Sequence, residues 1–141
     1  MTVQVVYRTS VKAVGGRNGT ARSDDGRVDV ELSTPKELGG PGGAGTNPEQ
    51  LFAAGYAACF LGALKVAGQQ SKTPIPADTS ITATIGIGPR VEGGFGITAD
   101  LAVSLPGVDA KVAKTLVDTA HRICPYSNAT RNNIDVGLTI V

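Results

Sequence analysis

Two cysteines are the side chains of this sequence with the greatest chemical reactivity. Cys59 stands in a long apolar segment, and Cys124 directly precedes Pro125. A cysteine thiolate is a nucleophile that peroxides can oxidise, and two thiols that meet can form a disulfide. Cysteines that only fill a core without reacting are the commoner case, and the residues alone leave both interpretations open.

Each cysteine belongs to a predicted helix. The segment NPEQ at residues 47–50 is typical of a helix start, because Asn caps, Pro suits the first turn and Glu favours the positive helix end. The apolar residues that follow predict a helix to about Gln70, apolar on nearly every side and therefore enclosed. Asp109 predicts the cap of a second helix, which must end at Cys124 because Pro125 disfavours helical geometry in the residue before it. Since both helices press apolar faces into one core, we expect the two thiols to meet.

The rest of the chain predicts an α+β fold in a single domain over residues 1–141. β-branched runs separated by Gly, Pro and Asp are typical of strands and turns. The strands are predicted at residues 3–14, 20–23, 27–33, 80–87, 95–105 and 134–141. The resulting order is β-β-β-α-β-β-α-β, in which consecutive strands mostly form hairpins.

Composition excludes several function classes. Thirteen basic and twelve acidic residues nearly cancel, and no Lys/Arg block stands out, which argues against nucleic acid or an anionic membrane as partner. One histidine and two cysteines without a CxxC motif are too few ligands for a zinc site. The N-terminal segment lacks the apolar core of a signal peptide, and Lys65 interrupts the long apolar run, so a core helix in a cytoplasmic protein is expected.

A buried thiol is inert unless a cation stabilises its thiolate. Arg17, in the Gly-rich turn at residues 15–19, is the candidate cation, although an exposed arginine at a hairpin tip is the commoner case. Glu49 needs no role at the thiol to be explained, because an acidic residue in the first turn stabilises a helix by about 0.3–1 kcal/mol through the helix dipole. Three aromatic residues are candidate pocket walls, with ordinary core packing as the alternative: Phe52, Phe95 and Tyr126.

Three segments together resemble the organic hydroperoxide resistance (Ohr) proteins of the Ohr/OsmC family. They are GGRNG at residues 15–19, a segment at 38–60 that ends in TNPEQLFAAGYAACF, and CPYSNATR at 124–131. The resemblance spans nearly the whole chain, and the last segment favours Ohr over the osmotically inducible branch. Where the family commonly has Arg-Gly-Asn, this chain has Arg131-Asn132-Asn133. Because Asn tolerates a left-handed backbone, we expect the turn to be preserved.

The resemblance implies an OsmC-like fold, with antiparallel sheets wrapped around a long central helix in an intertwined homodimer. It implies that Cys59 is the peroxidatic residue, Cys124 the resolving residue, and that Arg17 and Glu49 activate the thiolate. The implied reaction reduces organic hydroperoxides to alcohols through a Cys59 sulfenic acid and a Cys59–Cys124 disulfide. No cofactor is expected to be bound, and the dihydrolipoyl group of a lipoylated protein is the implied reductant.

Spacing adds a prediction about Glu49. It precedes Cys59 by ten residues, so a continuous helix separates the two by about 15 Å along its axis and about 80° in phase. One arginine cannot easily contact two side chains that lie so far apart on one helix. We therefore predict that Glu49 serves the Cys59 site of the other subunit.

Three other functions remain open. They are an osmotically inducible-type peroxidase with a different substrate range, a non-enzymatic binding module with a structural disulfide, and a redox sensor. No nucleic-acid-binding element supports the sensor.

Overall fold

The computed structural model describes residues 2–141, which form two compact units. The first unit ends at Pro48 and the second runs from Glu49 to Val141. Each contains one three-stranded sheet, and the two long helices accompany the second sheet. The predicted α+β class is confirmed.

The first unit is a β-meander, as the turn signals predicted. Its strands are β1 (Val11–Val14), β2 (Thr20–Ser23) and β3 (Asp29–Glu31), paired antiparallel in that order. The strand predicted from residue 3 begins only at Val11. Residues 2–10 form no strand and are exposed, because a β-branched run becomes a strand only where a neighbour pairs with it.

The long apolar segment forms α1 (Pro48–Gln70), a helix of 23 residues that begins at the predicted proline. One face is buried, through Tyr56, Phe60, Ala63, Leu64, Ala67 and Gly68. On the other side Leu51 is 38% and Val66 43% exposed, so the prediction of an enclosed helix is wrong for the single chain. A helix that is apolar all round gives no sign of which face packs. By length and composition α1 would also fit a membrane span, a property it shares with core helices of soluble proteins.

The second sheet is mixed rather than antiparallel. A hairpin of β4 (Ser80–Pro89) and β5 (Phe95–Ser104) pairs antiparallel over its full length. The last strand, β6 (Val136–Ile140), lies parallel to β5, with Ala99 opposite Val136. The prediction of antiparallel sheets is therefore wrong for the pair of β5 and β6. Helices connect β5 to β6, and such a crossover brings the chain back in the same direction.

The second helix, α2 (Ala110–Ile123), is capped as predicted by Asp109, whose carboxylate accepts from the N–H groups of Lys111 and Val112. It ends before Cys124, whose backbone is extended at φ −65° and ψ 124°. A short helix that the sequence did not predict, α3 (Pro125–Thr130), follows at once.

The core of the second unit joins the buried face of α1, the inner face of β5 and one side of α2. Its fully buried large side chains include Tyr56, Phe60, Leu64, Leu101 and Val103. Cys124 is part of this core, and Cys59 packs against its edge. The packing of α1 on α2 is therefore what brings the two cysteines to one place.

Candidate active site

The two thiols are neighbours, as predicted. The Sγ atoms of Cys59 and Cys124 are 3.7 Å apart, and both cysteines are free. Cys59 is half-buried on α1, whereas Cys124 is fully buried at the junction of α2 and α3. Because a disulfide needs sulfurs about 2.0 Å apart, a shift of less than 2 Å would suffice to join them.

The surroundings of Cys59 within the second unit favour the thiol over the thiolate. Burial raises the pKa of the Cys59 thiol, and the neighbouring Cys124 raises it further. The backbone N–H of Tyr126, which hydrogen-bonds to Cys59, acts in the opposite direction and favours the thiolate. A positive charge beside Cys59 would act against this upward shift of the pKa, which is the role predicted for Arg17 from the sequence.

The first turn of α3 faces both sulfurs. Cys124 is the cap of this helix, and its Sγ accepts from the Ser127 N–H at 3.5 Å. The preceding N–H, that of Tyr126, hydrogen-bonds to Cys59. Sequence reasoning missed this turn, although an extended residue followed by Pro125 is a recognised signal for a helix start.

A cavity of about 410 Å³ lies next to this turn, and its walls are mainly apolar. Phe52 and Tyr126, both predicted as pocket walls, line it together with Ile97, Ala129 and Ile134. The Phe52 and Tyr126 ring centroids are 5.9 Å apart, a packing distance for aromatic rings.

The third predicted wall, Phe95, is not brought to this cavity. It opens β5 opposite Pro89, and it is 73% exposed because the hairpin turn carries it into solvent. A larger cavity of about 550 Å³ between the end of α1 and α2 contains neither cysteine and no aromatic ring. The cavity of about 410 Å³ is connected to the thiols through Tyr126, which lines it and also hydrogen-bonds to Cys59.

The two predicted activating residues belong to different units. Arg17 lies in a 3-10 turn (Gly16–Asn18) preceded by Gly15, whose φ of 79° is left-handed. Glu49 lies in the first turn of α1, and the helix between it and Cys59 is continuous, as the spacing argument assumed. Neither Arg17 nor Glu49 is without an interaction partner. Their roles toward Cys59 stay predictions.

A buried polar network lies behind Cys124, and sequence reasoning missed it. The Tyr56 hydroxyl is 2.9 Å from Ser127 Oγ and 3.2 Å from Thr130 Oγ1, and His121 Nδ1 is 2.9 Å from Ser127 Oγ. Burial and then the charge of Arg131 lower the pKa of His121, with Asp118 opposing them. Across residues 2–141, no group of three or more His, Cys, Asp or Glu side chains could hold a metal ion.

Two free thiols in near contact at the edge of an α+β core form a site suited to disulfide chemistry. The family model of OsmC-like protein matches residues 40–139. The chain is 56% identical over 137 residues to the organic hydroperoxide resistance protein of Xanthomonas axonopodis pv. citri, covering 97% of this chain and 96% of the relative. The chain belongs to the OsmC-like family, in its organic hydroperoxide resistance branch.

Solved structures of organic hydroperoxide resistance proteins share the fold of this chain. The crystal structure of OhrB of Bacillus subtilis has a TM-score of 0.88 at 41% identity, covering 97% of this chain and 100% of the other. The organic hydroperoxide resistance protein of Elizabethkingia anophelis, with thiocyanate bound, has a TM-score of 0.92 at 45% identity and 98% coverage of both chains.

Proposed function

We propose that this protein is a thiol-dependent peroxidase that reduces organic hydroperoxides to alcohols, with Cys59 as the peroxidatic and Cys124 as the resolving residue. The observation that carries the proposal is the 3.7 Å separation of the two sulfurs. The names of the relatives, which are organic hydroperoxide resistance proteins, support the choice of substrate.

The reaction consists of three steps. The Cys59 thiolate attacks one peroxide oxygen, the O–O bond breaks, and the departing alkoxide takes a proton to become an alcohol, leaving a Cys59 sulfenic acid. The Cys124 sulfur then attacks the sulfenic sulfur, and its proton leaves with the displaced hydroxyl as water. An external dithiol reduces the resulting disulfide by exchange and is itself oxidised.

The first step needs a thiolate that burial disfavours. The Tyr126 N–H supplies one hydrogen bond to the Cys59 sulfur. Arg17 is proposed to supply the positive charge and to orient the peroxide, because its planar fork offers several fixed donors. Glu49 is proposed to act together with Arg17. Because the continuous α1 helix separates Glu49 from the Cys59 of the same chain by about 15 Å along its axis, Glu49 is proposed to serve the Cys59 of a second subunit.

A homodimer is proposed on the open face of α1. Leu51 and Val66 on this long and mainly apolar helix are 38% and 43% exposed. A second copy of the chain would remove this apolar surface from water, which is the general driving force of association. We propose no nucleic acid and no membrane as partner, and a cytoplasmic location.

Bulky organic hydroperoxides are the proposed substrates, in preference to hydrogen peroxide. Tyr126 connects the reacting thiol to the apolar cavity, since its N–H contacts Cys59 and its ring lines the wall. An apolar cavity of about 410 Å³ gains binding free energy from the organic group, which hydrogen peroxide lacks. No bound cofactor is proposed, and the dihydrolipoyl group of a lipoylated protein is proposed as reductant.

The test is stopped-flow oxidation with tert-butyl hydroperoxide, followed by steady-state turnover with dihydrolipoamide. Cys59→Ser should abolish both, whereas Cys124→Ser should still react with a first equivalent of peroxide but form no intramolecular disulfide. Turnover that persists in Cys59→Ser would contradict the proposal. Competition between tert-butyl hydroperoxide and hydrogen peroxide tests the substrate range, and equal rates would favour the osmotically inducible type.

A further inference from the structure

The polar network behind Cys124 has a defined direction. Its contacts join His121 Nδ1 to Ser127 Oγ, Ser127 Oγ to the Tyr56 hydroxyl, and the Tyr56 hydroxyl to Thr130 Oγ1. A fourth contact fixes the end, because the Thr130 hydroxyl donates to the Ser127 carbonyl at 3.2 Å and a carbonyl can only accept. Each hydroxyl has a single proton to donate.

These limits leave one arrangement that satisfies all four contacts. With the Thr130 proton directed at the carbonyl, Tyr56 must donate to Thr130, and Ser127 must therefore donate to Tyr56. The Ser127 oxygen can then only accept from His121, so Nδ1 must bear the proton. The reverse direction, in which Nδ1 accepts, makes three hydrogen bonds instead of four. In a buried network, a polar group without a partner has lost its hydrogen bond to water and gains none from the protein, which costs free energy.

This network holds the turn that faces both sulfurs. Ser127 is fully buried, its side chain is held by His121 and Tyr56, and its backbone N–H donates to Cys124 Sγ. Arg131 adds a second tie, because its guanidinium donates to the backbone carbonyl of His121. The side chains thus connect α1, α2 and α3 at the point where Cys124 meets Cys59.

We propose that His121, in its Nδ1–H form, and Tyr56 are positioning residues for the resolving step: through Ser127 they hold Cys124 against Cys59. The proposal rests on the proposed function, in which Cys124 attacks the Cys59 sulfenic acid. The hydrogen bonds described for the two side chains go to Ser127 and Thr130 and not to either sulfur. Loosening the network should slow the formation of the disulfide more than the reaction of Cys59 with peroxide.

The first test is the tautomer of His121, and it needs neither peroxide nor a variant. His121 is the single histidine of the chain, so nitrogen-15 labelling of histidine gives one pair of ring resonances. At pH 8 the proton is expected on Nδ1, in contrast to the Nε2–H form that free imidazole side chains prefer in water. A proton on Nε2 would overturn the proposal.

The second test measures how the sulfenic acid partitions. A Cys59 sulfenic acid either forms the disulfide or reacts with a second hydroperoxide, giving a sulfinic acid and another alcohol. Tyr56→Phe removes the hydrogen bonds of the hydroxyl to Ser127 and Thr130. We expect it to slow disulfide formation about three- to tenfold. The peroxide concentration that converts half of Cys59 to sulfinic acid then falls by the same factor. Mass spectrometry of Cys59 reads this concentration directly.

Matched variants distinguish a loss of Cys124 positioning from a general loss of protein stability. Tyr7→Phe makes the same chemical change on a side chain that is 75% exposed, and it should leave the half-sulfinic concentration unchanged. His121→Asn, which retains a donor close to the position of Nδ1, should restore most of the disulfide rate that His121→Ala loses. An unchanged partition in Tyr56→Phe, or equal loss in the two His121 variants, would overturn the proposal. A wild-type protein that does not react with peroxide would instead refute the proposed function.

Discussion

Gly55 on α1 allows the Tyr126 ring to lie directly against the helix. A Cβ atom at position 55 would be 2.6 Å from the Tyr126 hydroxyl oxygen and 3.1 Å from two ring carbons. Since nonbonded heavy atoms separate to about 3.5 Å, Gly55→Ala must push the hydroxyl end of Tyr126 away by about 1 Å. The ring can move, because Tyr126 is 38% exposed.

The displacement should change catalysis more than stability. Alanine stabilises a helix by about 0.5–1 kcal/mol relative to glycine, which offsets part of the strain. The moved ring narrows or distorts the cavity, so we expect kcat/KM for a bulky hydroperoxide to fall tenfold or more. Hydrogen peroxide, which has no organic group to accommodate, should lose less than threefold.

The matched control is Gly88→Ala in β4, away from the open face of α1, where an added Cβ meets nothing within 4 Å. Peroxidase rates of both variants are measured with cumene hydroperoxide and with hydrogen peroxide. If Gly55→Ala and Gly88→Ala gave the same ratio between the two substrates, Tyr126 would not be a wall of the substrate cavity, and the assignment of this cavity would be refuted.

Three further predictions concern stability, measured by urea denaturation. Because burial and Arg131 lower the pKa of His121 in the folded state, the unfolded chain takes up its proton first, and stability should decline as the pH falls below about 6.5. His121→Asn should flatten this part of the profile. Leu64→Ala, in the fully buried core, should cost about 2–5 kcal/mol, whereas Val91→Ala on the exposed turn should change stability by less than about 0.5 kcal/mol. Asp109→Ala should cost about 0.5–2 kcal/mol, since it removes the cap of α2.

Local signals in the sequence predicted the elements whose formation depends on neighbouring residues. The cap at Asp109, the end of α2 before Pro125 and the strand at Thr20–Ser23 are all confirmed. Asn132 adopts the expected left-handed backbone, with φ at 62°. Each of these features is decided within a few residues of chain, where dihedral preferences and hydrogen bonds to near neighbours dominate.

The features that sequence reasoning missed depend on residues far apart in the chain. The direction of β6 and the buried face of α1 are set by packing, because neither a short apolar run nor a uniformly apolar helix specifies its neighbour. The network joins Tyr56 to Ser127 across 71 positions. The adjacency of the cysteines could be predicted because both helices had to share one core, but the hydrogen bonds around them could not.

In the proposed catalytic cycle, the unequal exposure of the two cysteines would decide which sulfur of the disulfide a reductant attacks. In a disulfide formed at this site, the Cys59 sulfur would be the half-exposed one, and the Cys124 sulfur would remain enclosed. A reductant too large to enter the core can therefore form its mixed disulfide only with Cys59, and Cys124 departs as the leaving group. The Ser127 N–H already donates to the Cys124 sulfur, and it would stabilise the negative charge that develops there as the disulfide breaks. The donor that positions Cys124 would thus also make it a better leaving group.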